Sequence, residues 1–304
     1  MPTSDQDLYG QSADVEADEP KLLGLIPRCL GPGTTGPVPN HMRSALKLAW
    51  EWQQIGASAE FWESAGAEEN RLYELAGCRA GIGEQVGLAC TAERDYLGWH
   101  QMKLEGIEAV EAEMAKRALA EMVGHYVLGA GHGLFNLAAR TVALDGGLKS
   151  ALSGALGTHF PPLSERVEDW PSANPRKAKT LQAVARTSPI PEIRVVADPI
   201  LALVDSVEWN HLNDARGSYF HRWRVQTDGI FGVAKRSPWK KGDGVRSLEI
   251  GVGQQLGKNS QAKLAAQTLT IAVTARDKLV GAARAFEHVF AGAVTATTRL
   301  TVGE

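Results

Sequence analysis

The chain has 304 residues, of which 44% are hydrophobic, and a formal net charge of −3 at pH 7. That length and apolar content allow a sizeable core, in one large domain or two small ones. The acidic balance excludes a protein that coats nucleic acid over its whole surface, so any basic surface must be local. The three cysteines, Cys29, Cys78 and Cys90, lack zinc-ligand spacing, and we interpret them as thiols in a reducing compartment.

The first 40 residues differ in composition from the rest of the chain. Residues 1–20 hold six acidic side chains and no basic one, and we expect them to be disordered. A short apolar patch, Leu22–Ile26, could dock on the folded body, and a Pro/Gly linker follows, so residues 1–40 are predicted to be an acidic tail and a linker. The acidic start is unlike a signal peptide, and no stretch approaches the roughly 18 apolar residues of a membrane span. We therefore expect a cytoplasmic protein without membrane contact.

Residues 41–100 are predicted to form an N-terminal helical extension. An apolar face recurs at helical spacing from about His41, and the following residues are rich in Ala, Glu, Leu and Arg. Glycine lowers helix stability by up to about 1 kcal/mol relative to alanine. A break is therefore expected among four closely spaced glycines, Gly77, Gly81, Gly83 and Gly87.

The 105–143 region predicts a central helix, because its second half is apolar on nearly all sides. Polar side chains nevertheless recur along it, at Glu121, His125, His132, Asn136 and Arg140. Buried polar groups cost about 1–3 kcal/mol unless they are paired. Two interpretations stay open: satisfied core histidines with a structural ion pair, or a polar stripe that faces a functional site. A di-iron site is excluded, because Glu121 and His125 lack the Glu-x-x-His spacing of such bundles.

Prolines punctuate the passage from 145 to 198, which predicts loops with one short helix near Lys177–Arg186. Asp198 and Pro199 then open an apolar helix, with Asp198 as its predicted cap and Pro199 in its first turn. We expect this helix to continue into the stretch from Glu208 to Arg224.

The stretch Glu208–Arg224 concentrates polar chemistry. An imidazole, a carboxylate and a hydroxyl recur at spacings of three and four and therefore share one helix face, at His211, Asp214, Ser218 and His221. Apolar and aromatic side chains flank them, at Trp209, Leu212, Tyr219, Phe220 and Trp223. Such a density of titratable groups predicts a functional site.

Arg216 and His221 are separated by four residues and satisfy the pattern R-x4–6-H. In this pattern and its helical setting, the chain resembles HEPN-domain proteins, with residues 101–304 as a HEPN-like helical bundle. Arg94 and His100, with five residues between them, satisfy the same pattern. Only the copy at Arg216 follows an apolar helix and lies in an aromatic and basic cluster.

The resemblance implies a metal-independent endoribonuclease, in which the RNA 2′-hydroxyl attacks the adjacent phosphate and a cyclic phosphate forms. His221 would transfer the proton and Arg216 would hold the phosphate. HEPN proteins usually pair so that two motifs share one cleft, which implies a homodimer, and their settings include bacterial defence and toxin–antitoxin systems. Neither a metal nor a cofactor is expected. The proposed supporting residues are His211, Asp214, Ser218, His125, His132 and Asn136.

Residues 225–260 are predicted to be a long irregular insertion with a basic loop. Between Arg216 and Arg246 the chain has eight basic residues and two acidic ones, and Trp223, Phe231 and Trp239 are interleaved with them. Positive charge beside aromatic faces is typical of single-stranded nucleic-acid binding, although a solvated basic loop has the same composition. The RNA-binding interpretation assigns backbone contacts to Arg222, Arg224, Lys235, Arg236, Lys240 and Lys241.

The glycine-rich passage at 251–260 is not a phosphate-binding P-loop. Val252 stands where the first glycine of that motif belongs, and Asn259 where its Ser or Thr belongs. The glycines are instead expected to lead into the last helix, near Ser260–Phe290.

Together these patterns predict an all-α protein, a helical bundle with an N-terminal helical extension and long irregular insertions. A second functional hypothesis is a catalytically silent helical binding or scaffold module that acts through a protein partner. A third is a small-molecule cleft lined by His125, His132 and Asn136. RNA cleavage that depends on Arg216 and His221 distinguishes the first hypothesis from the other two.

Overall fold

The structure is a computed structural model that describes residues 38–54, 69–157, 172–220 and 258–302. All regular secondary structure in these four ranges is helical, so the predicted all-α class is confirmed. The helices, numbered in chain order, are α1 (Asn40–Gln53), α2 (Glu69–Gln101), α3 (Gly106–Val142), α4 (Gly146–Leu156), α5 (Pro175–Ala185), α6 (Pro191–Arg194), α7 (Asp198–Val204), α8 (Val207–Phe220) and α9 (Lys258–Val302).

Helices α2 and α3 form a long antiparallel pair in the centre of the bundle. Ile82 lies against Gly133, and Gln85 lies against Gly129 one turn further along. A methyl group at position 133 would come within 2.8 Å of the Ile82 side chain. The glycines of α3 therefore let the two helices approach more closely than larger residues would allow.

The predicted break among the four glycines of residues 77–87 is wrong, because α2 runs without interruption from Glu69 to Gln101. A methyl group at position 83 would lie 2.9 Å from the carbonyl oxygen of Ala49 on α1. Gly83 thus permits close approach of α1, and the packing of the helices offsets the local cost of the glycines.

Helix α1 is fixed to α2 and α9 by both apolar and polar contacts. At its end, the indole Nε1 of Trp52 donates a hydrogen bond to Glu287 at 3.2 Å. The Arg79 guanidinium lies 5.4 Å from the centroid of the Trp52 ring and also pairs with Glu287. Six side chains of α1 are buried: Met42, Ala45, Leu46, Leu48, Ala49 and Trp52. The buried apolar cluster of the described residues continues from α1 through to α9.

The passage from 145 to 198 holds more helix than its prolines suggest. The predicted short helix is present as α5, capped by the Asn174 side chain, which accepts a hydrogen bond from the Lys177 backbone N–H at 2.9 Å. Helix α4 was not predicted. The Asp145 carboxylate caps it at the Gly147 N–H, and its leucines recur at steps of four, at Leu148, Leu152 and Leu156. This apolar spacing outweighs the four glycines in and beside the helix.

Helix α7 begins at Asp198 with Pro199 in its first turn, as predicted, but Asp198 makes no capping hydrogen bond. Its carboxylate instead accepts a hydrogen bond from Gln182 Nε2 at 2.5 Å, which ties α7 to α5. Asp198 therefore joins two helices and does not cap one.

Helix α9 continues to Val302, beyond the predicted end at Phe290. Ala293, Val294 and Thr297 are buried, so the apolar stripe also continues. Within the described ranges, none of the helices combines the length and apolar character needed to cross a bilayer.

Candidate functional site

The first residues of the predicted site lie on α8, which is separated from α7 by two non-helical residues. The prediction of one helix running through residues 198–224 is wrong here, because α7 ends at Val204 and α8 begins at Val207. The Ser206 hydroxyl donates a hydrogen bond to the Leu203 carbonyl at 2.7 Å and accepts one from the Trp209 N–H at 3.2 Å. Serine thereby closes one helix and caps the next, a role for which its short hydroxyl is suited.

Trp209 anchors α8 to α3. Its indole is fully buried, and a methyl group at position 131 would lie 2.0 Å from its Cη2 atom. Further along α8, Leu212 lies 3.1 Å from the position that a methyl group on Gly124 would occupy. Trp209 contacts position 131 of α3, and the later residue Leu212 contacts the earlier position 124. Helix α8 therefore runs antiparallel to α3. Position 216 is therefore directed toward the beginning of α3.

The predicted polar face of α8 is exposed where the structure describes it. His211 and Asp214 are exposed, whereas Trp209 and Leu212 on the other side are buried. Arg216 and Ser218 belong to α8, but their side chains lie outside the described set.

His221 and the six cations assigned to RNA binding lie outside the described residues: Arg222, Arg224, Lys235, Arg236, Lys240 and Lys241. The juxtaposition of Arg216 and His221 therefore stays a prediction.

The residues of the polar stripe on α3 have different contacts: some form ion pairs or hydrogen bonds, and one packs against α8. The His132 ring meets the Trp209 ring edge-on, with centroids 6.0 Å apart, and its Nδ1 accepts a hydrogen bond from the Ala173 N–H at 3.0 Å. The Asn136 amide donates to the carbonyl of His132 at 2.7 Å within α3. His125 is exposed on the helix surface.

The two ends of the stripe form ion pairs. Arg140 lies 3.1 Å from Glu74 on α2, and Glu121 lies 3.3 Å from Arg117 one turn earlier on α3. Of the residues described, His132 is thus the member of the stripe with a ring contact to α8.

The second copy of the R-x4–6-H pattern lies on α2. Arg94 is 7% exposed, whereas His100 is exposed in the last turn and stacks on Tyr96, with ring centroids 6.2 Å apart. The arginine of this copy is therefore buried while its histidine faces solvent.

A buried charged cluster joins α1, α2 and α9, and we call its members, His41, Cys90, Glu93 and Arg276, the Glu93 cluster. One carboxylate oxygen of Glu93 accepts from His41 Nε2 at 2.6 Å, and the other pairs with Arg276 Nη1. Glu93 and Arg276 are 1% and 0% exposed. The Cys90 sulfur lies 3.8 Å from Arg276 Nη1. A charged pair at this depth must be closely matched, because an isolated buried charge is very costly.

The electrostatics of the Glu93 cluster favour a persistent ion pair. Burial by itself would raise the pKa of Glu93, but Arg276 and His41 together hold it below its ordinary value of 4.5. Burial by itself would lower the pKa of Arg276, but the attraction of the Glu93 carboxylate is stronger than this effect, and the pKa of Arg276 is raised. Both side chains are therefore charged in the fold.

The environment of Cys90 argues against nucleophilic catalysis at the Glu93 cluster. A thiol, an imidazole and a carboxylate are the parts of a nucleophilic site, which requires a thiolate. Burial instead raises the pKa of Cys90 to about 12, and its side chain is fully buried. The cluster fixes the positions of three helices relative to one another.

The Glu93 cluster was not predicted, although the sequence carries two signals for it. Glu93, Arg94 and Asp95 form a charged run inside a helix rich in Ala, Gly and Leu, and Arg276 lies beside the apolar stripe of α9. A charged run usually marks a solvated helix face. Only the packing of α1 and α9 over α2 shows that this run is buried.

Within the described part of the chain, no group of three or more His, Cys, Asp or Glu side chains has a geometry that could hold a metal ion. Comparison of the chain with protein-family models, curated proteins and solved structures gives no match.

Proposed function

We propose that the chain is a metal-independent endoribonuclease, with Arg216 as the phosphate-binding cation and His221 as the proton-transfer group. The proposal rests on the R-x4–6-H pattern at these residues. The structural observation that supports it best is the position of Arg216 on a helix whose first half is firmly anchored and whose polar face is open to solvent.

The anchoring of α8 suits a catalytic helix. Trp209 and Leu212 hold its first half against α3, and Ser206 fixes its start. Catalytic groups act best when rigid elements position them, because misplacement by about 1 Å can cost roughly a hundredfold in rate. His211 and Asp214 lie on the exposed face, where a polymeric substrate could reach them.

The chemistry requires proton transfer and charge stabilisation. The neutral His221 imidazole takes the proton of the RNA 2′-hydroxyl, whose oxygen forms a bond to the adjacent phosphorus. The bond from phosphorus to the 5′-oxygen breaks, that oxygen takes up a proton from water, and the His221 imidazolium returns its proton to water. The products are a 2′,3′-cyclic phosphate and a 5′-hydroxyl. The Arg216 guanidinium, with its planar set of donors, binds the phosphate oxygens as negative charge develops.

The remaining parts of the proposal concern binding and assembly. The cations from Arg222 to Lys241 hold the RNA backbone, and His211 or Asp214 orients His221. A symmetric homodimer brings two copies of the motif into one cleft. A bacterial defence or toxin–antitoxin role is the proposed setting.

The experiment is a cleavage assay of the full chain on single-stranded RNA in excess chelator, with analysis of the new RNA ends. Cyclic phosphate ends are expected, and Arg216→Ala should lower the rate by about a hundredfold or more, because a phosphate-stabilising donor is lost. Cleavage that requires a divalent metal, or that Arg216→Ala leaves unchanged, would refute the mechanism. Absence of cleavage under all conditions would favour the binding or scaffold module.

A further inference from the structure

Helix α5 and its C-terminal cap residue carry four cations and no acid: Arg176, Lys177, Lys179 and Arg186. Arg176, Lys179 and Arg186 follow at steps of three and seven, so they lie on one face of the helix. All three are exposed. The chain as a whole has a net charge of −3, which makes this face a local exception.

Two of these cations stand where they oppose helix formation. The first turn of a helix carries the positive end of its dipole and favours acidic side chains, by about 0.3–1 kcal/mol each. Helix α5 has no acid in its first turn, where Arg176 and Lys177 lie. A local conflict of this kind is expected at positions selected for binding.

The exposed cations of α5 are little neutralised by the protein. Arg176 and Lys179 form no ion pair with any described residue. Arg186 lies 3.9 Å from Asp198, but both side chains are largely exposed, and such pairs contribute little. The face therefore presents its charge to solvent.

The beginning of α5 is tied to the residues that anchor α8. Ala173, three residues before Arg176, donates its N–H to His132, whose ring contacts Trp209. Arg216 lies seven residues beyond Trp209, about 10 Å along the helix axis. The start of α5 and the start of α8 are thus both attached to α3 at His132, and the proposed cleavage site lies about two turns further along α8.

We propose that the exposed face of α5, formed by Arg176, Lys179 and Arg186, binds the phosphate backbone of the single-stranded RNA that is cleaved at Arg216 and His221. This inference rests on the proposed function, because the RNA bound by this face is the substrate proposed there. Flexible cations along one helix face contact phosphates without selecting a base sequence.

The test measures binding of a fluorescein-labelled 2′-O-methyl RNA, which cannot be cleaved by 2′-hydroxyl attack, as a function of salt. The full-length triple variant Arg176→Gln, Lys179→Gln, Arg186→Gln is compared with wild type. The matched control removes three exposed lysines on other helices and loops: Lys47→Gln, Lys103→Gln and Lys149→Gln. Circular dichroism verifies that both variants are folded.

The slope of log affinity against log salt should fall by about 2 in the α5 variant, since each single-strand phosphate contact contributes about 0.7. The control should keep the wild-type slope. Equal slopes in both variants, no RNA binding by wild type, or binding to anionic lipid vesicles without binding to RNA would each overturn the proposal. If the protein binds RNA through α5 but does not cleave it, the binding surface proposed here is supported and the proposed nuclease function is refuted.

Discussion

The indole of Trp209 occupies the space that a side chain on residue 131 would need. A methyl group at Gly131 would lie 2.0 Å from Cη2 of the ring, far inside contact distance. The ring is fully buried and is the largest side chain that α8 inserts against α3. The position of α8 therefore depends on the absence of a side chain at one position of a neighbouring helix.

Gly131→Ala should destabilise the protein, despite the better helix propensity of alanine. Inserting carbon into a filled space costs about 1–3 kcal/mol, and alanine recovers at most about 1 kcal/mol. Gly281 is the matched control, because it lies in α9 with nothing within 4 Å of an added methyl group. Chemical denaturation should show a loss for Gly131→Ala and a small gain for Gly281→Ala. Equal effects would contradict the close contact.

The pair formed by Glu93 and Arg276 should show strong coupling. Removal of one partner leaves a buried charge and costs about 3–5 kcal/mol, whereas removal of both can be nearly neutral. We expect Glu93→Gln and Arg276→Met each to be strongly destabilising, and the double variant to be more stable than the sum of the two losses predicts. A double-mutant cycle by urea denaturation measures this. Simple additivity would show that the two side chains do not form an ion pair in solution.

Acid should remove the contribution of Glu93 to stability. Burial opposes ionisation of Glu93, but Arg276 and His41 bring its pKa below the ordinary value of 4.5. A group with a lowered pKa in the fold stabilises the protein above its unfolded pKa, and this stabilisation is lost as pH falls through the folded value. The stability difference between wild type and Glu93→Gln should thus shrink as the pH falls below about 4.5. A difference that grows on acidification would have the wrong sign.

The cysteines of the described core should not react in the native protein. Burial raises the pKa of Cys78 to about 11 and that of Cys90 to about 12, and only thiolates react readily. In a Cys29→Ala background, a thiol reagent at about pH 8 should label neither residue until denaturant is added. Rapid labelling of the native variant would mean that α2 is more accessible than the structure indicates.

The sequence predicts elements well where one physical signal dominates. The apolar character of the 105–143 region corresponds to α3, and the short helix predicted near Lys177–Arg186 corresponds to α5. The failures occur where tertiary contact outweighs local preference. Gly83 weakens α2 locally but admits the Ala49 backbone, and that approach is visible only when α1 is in place. Helix propensity does not contain this information.

The site was less predictable than the fold. The exposure of His211 and Asp214 follows from helical spacing, because the opposite face carries Trp209. The Glu93 cluster could not be predicted in the same way, since His41 and Arg276 lie 52 and 183 residues from Glu93 along the chain. A charged residue on a helix is usually solvated, and only the arrangement of three helices reverses that expectation.

The most direct test of the central claim compares RNA cleavage by His221→Ala and His100→Ala. These histidines belong to the two copies of the same sequence pattern, and the structure describes His100 as exposed. Loss of a proton-transfer group lowers the rate by about a hundredfold to ten-thousandfold. The proposed mechanism predicts such a loss in initial rate for His221→Ala and a wild-type rate for His100→Ala. Wild-type cleavage by His221→Ala would contradict it.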